Sequence, residues 1–270
     1  MKKERLDVLL VEQGFFESRE RAKRSIMAGL VYVNDERVDK PGMKVDVQAP
    51  LRVKGELLPY VSRGGLKLEK ALSSFNLEVK DKVMLDIGSS TGGFTDCALQ
   101  NGAKLVYALD VGYNQLAWKL RNDERVVVME RTNFRYVTKE DFSQGAPDFA
   151  TADVSFISLR LILPVLKEIL QPESNVCVLI KPQFEAGRDE VGKKGIVREP
   201  SIHKKVIQDI VEFAEGIGYH PSGLDYSPVK GGEGNIEFLL HLLWDQGAAA
   251  SREINEEKIE QIVYNAHHHM

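Results

Sequence analysis

Leu85-Asp86-Ile87-Gly88-Ser89-Ser90-Thr91-Gly92-Gly93-Phe94-Thr95 carries an apolar strand end, an acid, a glycine-rich turn and a helix start in one run. Glycines there let the backbone approach a ligand that side chains would exclude. The strand begins at Val83, and the helix runs on to about Leu99. Outward from this unit the same rhythm repeats. Leu105–Asp110, Phe149–Val154 and Val176–Ile180 read as strands, with helical stretches between them. Alternation of this kind predicts an α/β fold, a doubly wound and mainly parallel sheet with its sites at the carboxyl ends of the strands. Asp110 ends the second strand, where an acid can accept hydrogen bonds from a ribose. A dinucleotide fingerprint would space its glycines G-x-G-x-x-G. Gly88 and Gly92-Gly93 are spaced differently, and Asp86 precedes the first of them. That variant suits a ligand with an amino-acid moiety and an adenosine but no pyrophosphate.

Four polar residues stand where strands end or a domain begins. Lys67 follows Ser62-Arg63-Gly64-Gly65-Leu66, Asp153 follows Thr151-Ala152, Lys181 follows Leu179-Ile180, and Glu237 precedes Phe238-Leu239-Leu240. Asp153 and Lys181 therefore fall on the carboxyl edge of the sheet. Glu237 opens an apolar run, where an unpaired charge is costly to bury.

The first 60 residues have a different character. Leu6 to Val11 form one helix closed by Gly14, and a second runs from an N-cap at Ser18 to Gly29. Arg19, Arg21, Lys23 and Arg24 crowd the surface of the second helix. Strands at Leu30–Val33 and Arg37–Val38 flank a turn at Asn34-Asp35-Glu36, and Val45 to Val53 adds another strand. Residues 1–65 hold 13 Lys/Arg against 10 Asp/Glu, a net +3, while the remainder, with 23 against 30, carries −7. A basic front on an acidic body points to a polyanionic partner for the front.

The whole chain of 270 residues is 43% hydrophobic and 28% charged, as expected for a soluble globular protein. It contains neither an apolar run long enough to span a bilayer nor a signal-peptide core after Met1-Lys2-Lys3-Glu4-Arg5, so the cytoplasm is the expected location. Cys97 and Cys177 sit in apolar contexts and read as buried structural thiols, with no metal site expected. His267-His268-His269 reads as a disordered polar end.

Arg5-Leu6-Asp7, Ser18–Lys23 and Gly29–Asn34 resemble the RNA-binding domain shared by a small-subunit ribosomal protein, tyrosyl-tRNA synthetases and many pseudouridine synthases. The resemblance implies phosphate contacts from Arg5, Arg19, Arg21, Lys23 and Arg24, with Arg63 added at the junction. The Asp86–Thr95 loop resembles the S-adenosylmethionine site of class I methyltransferases, specifically the FtsJ-like rRNA 2′-O-methyltransferases. By that resemblance Asp86, Gly88, Ser89, Gly92 and Gly93 line the methionine end, with Phe94 and Thr95 at the helix start. Asp110 holds the ribose and Asn133 lies near the adenine. Lys67, Asp153, Lys181 and Glu237 match the catalytic tetrad of that family in order.

Front domain, junction, loop and the Lys181–Glu185 segment together resemble the TlyA family, whose members often carry the label hemolysin. This implies 2′-O-methylation of cytidine in ribosomal RNA by three parts: an RNA-binding domain over 1–60, a methyltransferase domain over 61–245 and a tail over 246–270.

The chemistry needs a base beside the ribose hydroxyl, and Lys181 is the candidate. A free lysine is protonated at neutral pH, so burial and the second cation Lys67 must lower its pKa. Asp153 opposes that and is assigned to orientation, with Glu237 positioning Lys67 or the ribose. Three other activities fit less well. A base-amine methyltransferase would show Asn/Asp-Pro-Pro-aromatic where this chain has Asp153-Val154-Ser155-Phe156. A carbon-5 enzyme needs a placed cysteine nucleophile, and a lytic protein needs a strong amphipathic membrane helix.

Overall fold

The computed structural model describes residues 3–27, 29–55, 58–245 and 254–270, in two compact units, 1–59 and 60–270. The first unit runs β1 (Lys3–Arg5), α1 (Leu6–Glu12), α2 (Arg19–Met27), β2 (Val31–Val33), β3 (Glu36–Val38), β4 (Lys44–Asp46) and β5 (Leu51–Val53). Leu6, Leu9, Leu10, Ala22 and Ile26 from the helices close on Val31, Val33, Val38 and Val45 from the strands. Ser18 caps α2 by accepting from the Arg21 N–H at 3.3 Å. Asn34 and Asp35 turn the hairpin at φ 51° and 64°, a left-handed pair that Asn and Asp tolerate. The single strand expected over Val45–Val53 is two short ones in different sheets, β4 on β1 and β5 on β2. Asp46 interrupts them by accepting from the Gln48 N–H at 3.0 Å and from the Ala49 N–H through its carbonyl, which bends the chain.

The second unit contains α3 (Gly64–Ser74), β6 (Val83–Ile87), α4 (Gly93–Gln100), β7 (Leu105–Leu109), α5 (Trp118–Arg121), β8 (Val126–Met129), β9 (Phe149–Ala152) and α6 (Leu163–Ile169). It continues with β10 (Ser174–Ile180), α7 (Pro182–Glu185), α8 (Pro200–Gly216), β11 (His220–Tyr226), β12 (Phe238–Trp244) and α9 (Glu256–His269). The seven strands lie in the order β11-β12-β10-β9-β6-β7-β8. All neighbours are parallel except β12, which runs against both β10 and β11. The parallel strands are apolar throughout because helices cover both faces, and two large clusters of buried residues fill those faces. The strand order reverses between β6 and β9, so the crevice of this sheet opens beyond Ile87 and Ala152.

The stretch beyond 245 corrects the expectation of a disordered end. Residues 246–253 lie outside the described residues, but Asn255 caps α9 by accepting from the Lys258 N–H. Ile259, Val263 and Ala266 then enter the main core. The His267 ring meets that of buried His203 at 3.0 Å. Period-3.6 apolar spacing from Ile259 carries this helix, and the terminal histidines only extend it.

Two buried histidines make the second unit acid-sensitive. His203 is fully buried, and burial followed by the neighbouring His267 pushes it down to about 4. Burial alone pushes His241 down to about 4 as well. Both are neutral in the fold and take up protons below about 6.5 once unfolded, so their stabilisation is complete above pH 6.5 and is lost as pH falls toward 4. Asp86, which burial raises to about 6, opposes them in the same window, as does Glu185, also raised by burial, while His267, lowered chiefly by burial, acts with them. The unfolding midpoint is therefore expected to fall between pH 7 and 4.5, by on the order of 2 kcal/mol of net stability. His241→Gln keeps a donor for Asn175 Oδ1, which His241 meets at 2.8 Å, and should flatten the fall. A wild-type midpoint that holds or rises toward pH 4.5 would contradict this account.

Candidate active site

The glycine-rich turn leaves β6 at Gly88, whose φ of +84° is a left-handed conformation open to glycine. A Cβ there would stand 2.6 Å from the Asp153 carbonyl oxygen, so the turn after β6 closes directly on the end of β9. Gly92 precedes α4 at φ +96°, and a Cβ would strike Leu120 at 2.3 Å. Gly93 abuts the first turn of α3, where its Cβ would meet the Gly65 nitrogen at 2.7 Å. The paired glycines Gly64-Gly65 thus belong to a tightly packed helix start.

Asp86 lies inside the turn. Its carboxylate accepts from the Thr95 N–H at 3.1 Å, the Thr95 hydroxyl at 2.7 Å and the Thr151 hydroxyl at 3.1 Å. Thr95 is fully buried and braces Asp86 from behind the loop. Asp110, after β7, accepts from the Ser90 N–H and the Gly112 N–H, both at 2.8 Å, and so anchors the loop as well as facing the crevice. Asn133 lies four residues beyond β8 and caps a short 3-10 turn by accepting from the Arg135 N–H.

The crevice has two lobes. One, of about 530 Å³, is lined by Gly88, Ser89, Gly93 and Phe94 together with Arg63, Lys67, Asp153, Lys181 and Glu237. The other, of about 370 Å³, is lined by Leu109, Asp110, Val111, Gln115, Asn133 and Phe134. Gly88, Ser90, Asp153, Ser155 and Phe156 line both, so the lobes adjoin across the Gly88–Asp153 contact. Of the residues expected around a cofactor, Gly92 and Thr95 stand behind the loop, while the others face one lobe or both.

The tetrad assembles around Asp153. Its two oxygens meet Lys67 Nζ at 3.0 Å and Lys181 Nζ at 2.5 Å. Lys67 Nζ also meets Glu237 at 2.7 Å, and Lys181 Nζ donates to the Ser155 hydroxyl at 3.2 Å. Lys67, from the first turn of α3, and Glu237, just before β12, are buried at 7% and 2% exposure, so each charge depends on its partner. Burial works against the Lys67 charge, but Asp153 and Glu237 outweigh it and hold the ammonium above its ordinary value. Burial also opposes the Asp153 charge, and Lys67 and Lys181 outweigh that in turn, holding the carboxyl below its ordinary value.

Sequence reasoning missed several lining residues: Ser155, Gln183, Phe184, Lys194, Lys230 and Asn235 among them. Phe156 is 91% exposed at φ 62° and packs on Phe184 with ring centroids 5.0 Å apart. A phenylalanine three residues after the tetrad aspartate was the available signal for this part of the wall.

Of the front residues expected to bind RNA, Arg5 and Arg19 clamp the fully buried Asp7, at 2.9 and 3.0 Å, and Arg5 leads in drawing its pKa down to about 2. Arg21 reaches exposed Glu17 at 3.3 Å, Arg24 donates to the Leu58 carbonyl at 3.3 Å, and Lys23 is exposed. This helix is therefore less freely cationic than its composition suggests.

A parallel sheet with one reversed strand before its edge, a glycine turn beside an acid and a two-lobed crevice define an S-adenosylmethionine-dependent methyltransferase of the Rossmann-like class. Residues 60–243 match the FtsJ-like methyltransferase model, and residues 4–50 match the S4 domain. The provisionally named rRNA methyltransferase YqxC of Bacillus subtilis is 66% identical over 98% of this chain and 95% of its own. The Mycobacterium tuberculosis 16S/23S rRNA (cytidine-2′-O)-methyltransferase TlyA is 40% identical over 96% and 97%. A solved structure of a provisionally named hemolysin from Streptococcus thermophilus superposes with a TM-score of 0.77 at 58% identity, covering 99% of this chain and 96% of that one. The chain belongs to the FtsJ-like methyltransferase family, with an S4 domain in front and TlyA proteins among its relatives. No helix among the described residues is long and apolar enough to cross a membrane.

Proposed function

We propose that the protein transfers a methyl group to the ribose 2′-hydroxyl of a cytidine in ribosomal RNA, in the cytoplasm. The observation that carries this reading is the buried Lys67–Asp153–Lys181–Glu237 network on the wall of the larger lobe. The donor fits the crevice: Gly88 clears the backbone between the lobes, leaving Asp110 and Asn133 for a nucleoside and Ser89 and Phe94 for an amino-acid end. When bound, S-adenosylmethionine supplies an electrophilic methyl on a positively charged sulfur.

The protein must then hold a hydroxyl in line and take its proton. Asp153 is held anionic by two lysines, which makes it a poor base. Lys67 is held cationic between two carboxylates. Glu237 is occupied by Lys67 at 2.7 Å. Lys181 remains: after giving its own proton to solvent, its Nζ would accept the proton of the hydroxyl to be methylated. Asp153 and Ser155 aim that nitrogen, and Asp153 stabilises the ammonium that results. Exposed Phe156, packed on half-buried Phe184 beside the lysine, offers an unstacked base an aromatic surface, the usual means of holding an extruded nucleotide.

The relatives YqxC and TlyA support ribosomal RNA as the acceptor, and the S4 domain supports an RNA partner. The direct test uses the purified protein, methyl-labelled S-adenosylmethionine and ribosomal RNA or subunits lacking the modification, followed by mass spectrometry of the nucleosides. The expected product is 2′-O-methylcytidine. Label on a base, or none on any ribosomal substrate despite measurable donor binding, would overturn the assignment.

A further inference from the structure

Each charge inside the larger lobe has a hydrogen-bond or ion-pair partner, and the cations at its mouth pair with no carboxylate among the described residues. Inside, Lys67 and Lys181 face Asp153 and Glu237, and the Asp86 carboxylate is occupied by two threonines. At the mouth stand Arg63, Lys194 and Lys230, all exposed, with Glu233 the one exposed acid among the lining residues. None of the three cations is paired with a carboxylate among the described residues.

The loops presenting the two lysines are built, not loose. Lys194 is held at φ +69°, where a lysine gains nothing locally, in a turn closed by the Gly192 N–H on the Ile196 carbonyl at 3.0 Å. Buried Asn235 ties that turn to the Lys230 loop. Its side chain donates to the Gly195 carbonyl at 2.9 Å and the Gly232 carbonyl at 3.1 Å, and accepts from the Val197 N–H at 3.1 Å. Its own carbonyl accepts from the Gly231 N–H at 2.9 Å, one residue beyond Lys230. A single buried side chain thus fixes two cation-bearing loops around one opening, two residues before Glu237.

We propose that Arg63, Lys194 and Lys230 form a phosphate-binding collar that holds the phosphodiesters on either side of the target nucleotide. This rests on the RNA-acceptor reading. The methyl donor carries no phosphate, so unpaired cations around the mouth serve the acceptor, and they serve it as a strand: phosphate contacts position without reading sequence. Glu233 marks the gap in the collar.

The test measures binding of a ribosomal RNA fragment by the full chain across a salt series, with steady-state methyl transfer alongside. Lys194→Gln and Lys230→Gln are each expected to weaken RNA binding several-fold and to lower the slope of log affinity against log salt by about 0.7, the value for one phosphate on a single strand. The loss should fall on KM for RNA rather than on kcat, and donor affinity should hold. Glu233→Gln should act in the opposite sense and tighten RNA binding. Unchanged RNA affinity and slope in both lysine variants would overturn the collar, as would an effect on donor affinity instead. Because binding is read directly, a wild-type protein that binds RNA but transfers no methyl would sink the ribose-methylation reading while still testing the collar.

Discussion

Lys181→Ala is expected to lower methyl transfer by about 10²- to 10⁴-fold while leaving the donor bound, because it removes the nitrogen assigned to take the hydroxyl proton. Asp153 and Lys67 are each locked in the wrong charge state for that task, the first held anionic and the second cationic. Glu237 is the least accessible of the four, at 2% exposure. Lys181→Arg keeps a cation against Asp153 but cannot give up its proton near neutrality, so it should be nearly as inactive. Calorimetry of S-adenosylmethionine binding, run beside single-turnover methyl transfer, separates the two steps. A rate within tenfold of wild type for either variant would rule out Lys181 as the base and return that role to solvent or to the RNA.

Glu237→Gln is expected to cost about 3 kcal/mol of stability in the second unit, since it leaves a buried cation without its nearest counter-charge. Lys67 would then share Asp153 with Lys181, two ammoniums on one carboxylate. The informative variant replaces both partners, Lys67→Met with Glu237→Met. It leaves Asp153 and Lys181 as a balanced pair, and unbranched methionine suits a space so close to Gly231 that a Cβ there would stand 2.0 Å from a Glu237 oxygen. Urea unfolding should show most of the lost stability restored in the double variant, with methyl transfer still absent. Such a result would establish that the buried ion pair is kept for catalysis rather than for stability. A double variant as unstable as Glu237→Gln, or one that retains activity, would refute that view.

Much of the catalytic unit was legible in order along the chain. Asp153 and Lys181 each follow an apolar run, and a strand that ends at the carboxyl edge of a parallel sheet delivers the next residue to the crevice. Glu237 was visible because a charge at the start of an apolar run demands a partner. The roles inside the tetrad were less visible. Lys67 was expected to act on Lys181 through repulsion, with Glu237 positioning Lys67 or the ribose; the fold sets Asp153 between the two lysines and places Glu237 against Lys67.

The front unit shows the opposite case. A helix crowded with Arg19, Arg21, Lys23 and Arg24 reads as an open cationic face, yet Arg19 joins Arg5 on the buried Asp7. Composition counts charges, and only packing reveals which are already neutralised. The chain end was misjudged for a related reason. His267–His269 drew attention to a polar terminus, while Ile259, Val263 and Ala266 carried the information that α9 docks on the core.

By itself the sequence determined what short-range patterning can encode: the alternation of strand and helix, the glycine turn with its preceding acid, the three strand-edge members of the tetrad and the basic turns of the front unit. Tertiary structure decided which charges meet. The reversal of β12 between β10 and β11, the 2.5 Å approach of Lys181 to Asp153 and the binding of the Lys194 and Lys230 loops by Asn235 all join residues far apart along the chain. Periodicity specifies which side of an element is apolar. Which two polar groups then share a buried space depends on how the elements cross, and that is set by packing of the whole sheet and its helices.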